Sequence, residues 1–137
     1  MPRSLRQAPC GVPEARARLR GAQAYLQTAE LVSGEQRPAE FANVAAGLAV
    51  LAGIAASDAI CCLWHGSRSR GEDHREATSL LEGATPDGRK LATTLRRLLD
   101  VKDASHYGVG LVNARTARDA TRWARLLVER AQEELER

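Results

Sequence analysis

The chain reads as an all-α protein, an antiparallel helical bundle of four long helices plus one short helix. Three observations predict this. Apolar residues recur with a period near 3.6, glycines, prolines and capping residues interrupt the pattern at helix-length intervals, and neither strand-like alternation nor an internal repeat occurs. With 137 residues, 44% hydrophobic and 27% charged, the chain suits one domain whose core needs no metal or disulfide. Only 4% of residues are aromatic, so Leu, Val and Ile supply bulk while Ala permits close helix contacts. The expected organisation is a flexible tail over 1–12 and a single helical domain over 13–137.

The first helix spans Pro13 to Val32, with Pro13 in its first turn and Ser33-Gly34 at its end. Its apolar stripe is Leu19, Ala22, Tyr25 or Leu26, Ala29 and Val32. Pro38 opens a second helix that runs to Trp64 and stops at Gly66; apolar on all sides, it belongs at the bundle centre. A polar loop over 66–72 leads to a short helix from Asp73, its cap, to Glu82, ended by Gly83. Thr85 caps a fourth helix with Pro86 at its first position, and Gly108-Val109-Gly110 breaks it. Leu91, Leu95, Leu98, Leu99, Lys102 and His106 share one face of that helix. Asn113 caps the last helix, which reaches Glu136 with Ala117, Thr121, Ala124, Val128, Ala131 and Leu135 inward.

Net charge is +3 and the pI is about 9.1, carried almost wholly by arginine, as a GC-rich coding bias would give; Lys90 and Lys102 are the only lysines. Cys10 and the adjacent Cys61 and Cys62 form neither a disulfide framework nor a zinc-ligand spacing, and read as small buried hydrophobes in a reducing cytosol. The polar N-terminus shows no secretory signal, so the expected location is cytoplasmic. Residues 41–64 carry only one charge, Asp58, and are long enough for a membrane span. Their Ala- and Gly-rich composition and the mid-segment carboxylate instead indicate a helix surrounded by protein, with no membrane partner.

Two positions stand out chemically. An apolar seam ending in Lys102 and His106, one turn apart, brings two polar groups to the edge of a core, where they need partners or a role. Asp58 is a carboxylate in an apolar helix, on the side of Val44, Leu51, Ala55 and Cys62; Lys102 or His106 is its economical partner. On the last helix Arg115, Arg118, Arg122 and Arg125 form a row that suits a phosphate backbone, or a solvated flank paired with Asp119 and Glu129. His74 starts the short helix. The three histidines lie on separate elements without ligand spacing, so no metal or cofactor is expected, and there is no phosphate loop, dinucleotide fingerprint or nucleophile elbow.

Three segments together resemble the HEPN superfamily of nucleotide-binding helical domains. They are Ala52-Gly53-Ile54-Ala55-Ala56-Ser57-Asp58-Ala59-Ile60, Gly71-Glu72-Asp73-His74-Arg75-Glu76-Ala77, and Lys102-Asp103-Ala104-Ser105-His106-Tyr107, followed by Ala117, Ala120, Ala124 and Leu127. Catalytic members of that family are dimeric, metal-independent ribonucleases with an Arg-x4–6-His motif. Here Lys102 stands in the arginine place, Asp103 follows it, His106 comes four positions on and Tyr107 holds the usual histidine spacing. The resemblance implies an RNA- or nucleotide-binding homodimer, a ribonuclease of a toxin–antitoxin or defence system with an antitoxin protein as partner. Lys102 would hold the scissile phosphate, His106 would move a proton, Tyr107 and Asp58 would orient them, and His74, Asp103, Arg115, Arg118 and Arg122 would contact substrate. The alternative is a non-catalytic HEPN-like dimerisation or partner-binding module.

Overall fold

Each long helix has its own start and stop chemistry. The computed structural model describes residues 7–34, 37–70, 74–107 and 112–137, the side chains of 104–107 excepted. Helix α1 (Val12–Val32) begins after Gly11, whose N–H donates to Glu14 Oε2 at 3.0 Å, and has proline in its first turn. Helix α2 (Ala39–His65) ends at Gly66, which adopts the left-handed conformation (φ 68°) and donates its N–H to Cys62 O. Helix α3 (His74–Glu82) is short. Helix α4 (Gly88–Tyr107) begins three residues after the expected Thr85 cap. Thr85 Oγ1 instead donates to Asp87 Oδ1 at 2.8 Å inside a turn, because Gly88 lies against the Leu81 and Glu82 carbonyls and fixes where α4 can start. Helix α5 (Ala114–Glu136) is capped as expected, with Asn113 Oδ1 accepting from Thr116 N at 2.8 Å. The expected Asp73 cap and the Gly108–Gly110 break lie outside the described residues.

Long-range pairs fix the directions. Arg18–Asp58 joins the start of α1 to the end of α2, while Glu30 near the end of α1 meets Arg125 at the middle of α5 and Gln23 meets Gln132 farther along it. Both pairs of helices are therefore antiparallel. Asp87–Arg130 makes α4 antiparallel to α5. Asn43 Oδ1 accepts from Val112 N at one end and Trp64 Nε1 donates to Glu134 at the other, so α2 and α5 run the same way across the short diagonal of the bundle. Small residues make that approach possible: Ala45, Ala49, Ala52, Ala56, Ala120, Ala124 and Ala131 are all fully buried. At Gly53 a Cβ would collide with Leu98 Cδ1 and meet Leu127 Cδ1 at 3.4 Å, so this glycine sets the spacing of α2 from both α4 and α5.

The α4 seam is as expected, with Leu91, Leu95, Leu98 and Leu99 buried and Ala92 and Val101 added. In α1 it is Leu26, not Tyr25, that turns inward. Among the described residues α2 is the helix long and apolar enough to cross a membrane, and most of its apolar stretch is buried inside the fold. It is not covered all round by the described residues, however: Phe41, Val44 and Leu51 are exposed.

Two findings overturn the sequence reading at the N-terminus. Residues 7–12 are not a free tail: strand β1 (Gln7–Pro9) pairs antiparallel with strand β2 (Ser67–Ser69), in the segment expected to be a loop. The strands are too short for alternation to register in sequence. Their pairing brings Cys10 to the end of α2, where it forms a disulfide with Cys62, Cα to Cα 5.2 Å, leaving Cys61 as a buried thiol. Neighbours on a helix point about 100° apart, so only one of the adjacent cysteines can face β1. Three free thiols in a reducing cytosol are therefore not what the fold holds: two of the cysteines are joined.

Candidate functional site

Helix α3 packs against α4, and their meeting edge holds the polar groups singled out by the sequence. Lys102 lies just beyond the Leu98-Leu99 end of the seam, half-buried, and His74 is the first residue of α3. Lys102 Nζ is 2.8 Å from His74 Nε2. An ammonium has only protons to offer, so the lysine donates and the imidazole accepts at Nε2, with its own proton on Nδ1. The pair joins the end of α4 to the first residue of α3.

Beside this pair is an open cleft of about 240 Å³, lined by His74, Arg75, Thr78, Arg96, Leu99 and Asp100. Leu99 is its apolar floor. Thr78 Oγ1 bonds back to the carbonyls of Arg75 (3.0 Å) and His74 (3.2 Å), which steadies the first turn of α3. Arg96 crosses from α4 to Glu82 at 3.2 Å, tying down the other end of α3. His74, Arg75 and Arg96 thus share one groove, with Asp100 as its acidic edge and Lys102 bonded to His74 beside it. No group of three or more metal-ligating side chains occurs among the described residues.

No protein-family model matches this chain, and no curated protein does. The site therefore stands on its own geometry.

Of the residues marked by the sequence, Lys102 and His74 come together, and Asp103 is exposed next to Lys102. Both His106 and Tyr107 fall in the last turn of α4, and their side chains lie outside the described set. Asp58 does not join them. Its partner is Arg18 of α1, with Arg18 Nη2 donating to Oδ2 at 2.7 Å, because α1 and not α4 covers that part of α2. Burial pushes the Asp58 carboxyl above the usual carboxylate range; the charge and hydrogen bond of Arg18 and the charge of Arg68 oppose this without cancelling it.

The α5 arginines also stay apart from the cleft. Arg115, Arg118, Arg122 and Arg125 are exposed; Arg122 pairs with Asp119 at 3.1 Å and Arg125 with Glu30 at 2.9 Å. Arg118 lines a separate recess with Ser33, Gly34 and Ala42. Ion pairs in solvent thus hold Arg122 and Arg125, as the solvated-flank alternative has it. Sequence reasoning passed over Arg75, Arg96 and Arg18. Arg96 precedes the Leu99-Asp100 pair by one turn on the flank of the seam, and Arg75 adjoins His74, so both were accessible from spacing. Arg18 had no such signal.

Proposed function

We propose that this chain is a HEPN-like RNA- or nucleotide-binding domain whose phosphate site is the cleft between α3 and α4. The observation that carries this reading is the 2.8 Å Lys102–His74 pair set beside Arg75 and Arg96. A phosphate oxygen competes with Nε2 for the protons of the Lys102 ammonium, a stronger, charge-assisted bond. Its arrival frees the His74 nitrogen. If the bound ligand is RNA, that nitrogen can take the proton of a 2′-hydroxyl as its oxygen attacks the adjacent phosphorus. The departing 5′-oxygen then needs an acid, and the resemblance offers His106, one turn beyond Lys102. Arg75 and Arg96 would spread charge along the strand.

The test is metal-free cleavage and binding of a labelled RNA pool at several salt concentrations. Lys102→Ala should weaken binding and flatten its salt dependence by roughly one counterion. His74→Ala should leave affinity within a few fold but lower cleavage by about 10²–10⁴. Helical content of each variant, read by circular dichroism, guards against misfolding. Absence of both cleavage and salt-dependent binding in the wild type overturns the reading.

One observation favours the second reading, a homodimerisation or partner-binding module. Phe41, Val44 and Leu51 are 37%, 52% and 44% exposed on one side of α2. Sedimentation of the wild type against Val44→Asp decides it: a dimer that the substitution breaks supports a self-associating face, and a monomer in both removes it.

A further inference from the structure

The Cys10–Cys62 bond ties the residue after β1 to the last turn of α2. It closes a strap, residues 7–10, over the end of α2, and the strap continues to α3. Cys10 N donates to Gly66 O at 2.9 Å and β1 pairs with β2 over three residues. Gln7 then bridges outward: its Oε1 accepts from Ser67 Oγ at 3.1 Å and its Nε2 donates to Glu76 Oε1 at 2.6 Å. Glu76 is in the first turn of α3, the turn that His74 begins. The opposite end of α3 has separate anchors, His65 Nε2 donating to Leu80 O at 2.9 Å and Arg96 to Glu82. The strap therefore reaches the cleft end of α3.

We propose that the Cys10–Cys62 disulfide is a redox latch: reduction releases the strap and loosens the first turn of α3, while the helical bundle stays folded. A two-stranded ribbon this short is marginal without a covalent tie. The bundle, by contrast, keeps the α2–α5 diagonal and the α4 seam, none of which passes through Cys10. Cys10 is partly exposed whereas Cys62 is buried, so an external thiolate meets the Cys10 sulfur first. The neighbouring Cys61 does not compete. Burial, and secondarily the charge of Asp58, push its thiol up to about 12, which keeps it protonated and a poor nucleophile.

The chemistry balances with a dithiol reductant. Its thiolate attacks Cys10 Sγ; the S–S bond breaks and its electron pair leaves on Cys62 Sγ, which takes a proton. The second thiolate of the reductant attacks its own sulfur in the mixed disulfide, and Cys10 departs and is protonated. Two electrons and two protons pass to the protein, and the reductant leaves oxidised. An effect on RNA affinity rests on the phosphate reading of the cleft; the latch itself does not.

Hydrogen exchange on the full chain, with and without dithiothreitol, tests the latch. Peptides over 7–10, 66–70 and the first half of α3 should exchange about tenfold or more faster after reduction, with α2, α4 and α5 unchanged. Cys10→Ser should be fast in both conditions, and Cys61→Ser should respond like the wild type. Two outcomes overturn the proposal: equal exchange in α3 although thiol labelling shows the bond reduced, or acceleration of every helix together, which makes the bond a staple of the whole fold. RNA affinity measured on the same two samples separates the readings. An oxidised protein that binds no RNA sinks the phosphate site alone, while the exchange result still judges the latch.

Discussion

The side of the bundle made by α1, α2 and α5 and the side made by α3 and α4 achieve burial in different ways. The first is packed largely through alanines, so backbones lie close along most of their length. The second uses leucines on one face of α4 and sets a short helix, with only Thr78 and Leu81 buried, along its flank. Where two helices of unequal length meet through long polar side chains, a groove is left, and here it is the cleft beside Lys102 and His74. The contrast teaches that this fold separates tasks. Small-residue packing fixes the frame, and the lightly anchored helix carries the adaptable polar edge.

The largest expected effect probes where the two sides join. Leu98 is fully buried and its Cδ1 fills the space left by the missing side chain of Gly53. Leu98→Ala should cost about 3–4 kcal/mol by urea unfolding, from lost transfer free energy plus a residual cavity. Gly53→Ala should cost about 1–2 kcal/mol by forcing Leu98 aside. In the Leu98→Ala background the same change should cost almost nothing, since the added methyl then enters the cavity. Simple additivity of the two would show that the sides are not coupled through this contact.

Next comes the polar tie at the far end. Arg130 donates to both Asp87 oxygens at 2.6 and 2.7 Å and to Glu134 Oε1 at 2.9 Å, while Trp64 holds the other Glu134 oxygen at 3.0 Å. The Arg130 hydrogen bonds hold Asp87 below the usual carboxylate range. Burial raises Glu134, but Arg130, Trp64 and Arg137 together outweigh it and leave this group lowered as well. Acids lowered by folding stabilise above their unfolded values and lose that contribution as pH falls through the lowered ones. Arg130→Met should therefore cost about 2 kcal/mol at pH 7, discounted for the partial exposure of Asp87, and the gap should close in acid. A gap that stays constant between neutral pH and pH 3 would assign the loss to packing instead.

Much of this architecture was legible because it is local. Helix ends follow from Pro13, Gly66 and Asn113, and the α4 seam from leucine spacing, since caps and periodicity act within a few residues. The strap was not legible, because three-residue strands 60 positions apart leave no pattern and a disulfide depends on where tertiary structure brings Cys10. Within the candidate site, Lys102 stands out as a polar residue ending an apolar seam, and His74 becomes a candidate only through the family resemblance. The pairing itself was misassigned: charge complementarity suggested Asp58 for Lys102, but which helix covers Asp58 is a matter of bundle order, and α1 supplies Arg18 there.

Asp58 sharpens the comparison from the frame side. Burial leaves its carboxyl raised despite Arg18, so the folded protein holds this proton more tightly than the unfolded chain does. Its contribution is greatest below the unfolded value and declines as pH rises through the raised one. Asp58→Asn removes that titration and keeps an amide oxygen for Arg18 to bond. The stability of the wild type relative to Asp58→Asn should therefore improve as pH falls from 7 toward 4, opposite in sign to the Arg130 effect, with the two proteins within about 1 kcal/mol at neutral pH. The reverse slope would mean that the ion pair outweighs burial.

The smallest effect belongs to the outer face of α5, which is part of neither side. The side chains of Arg122 and Arg125 are 67% and 45% exposed, and each pairs with an acid in solvent, where Coulomb attraction is screened and two long side chains must be ordered. Arg125→Ala should shift unfolding by less than about 0.5 kcal/mol even though Glu30 lies on another helix, and salt should erase the difference. The row keeps a functional meaning only through binding. If Arg115→Ala, Arg118→Ala and Arg122→Ala combined lower RNA affinity while stability holds, the strand bound at the cleft extends over α5. Unchanged affinity confines recognition to α3 and α4, and the arginines then do no more than keep a leucine- and alanine-rich bundle soluble.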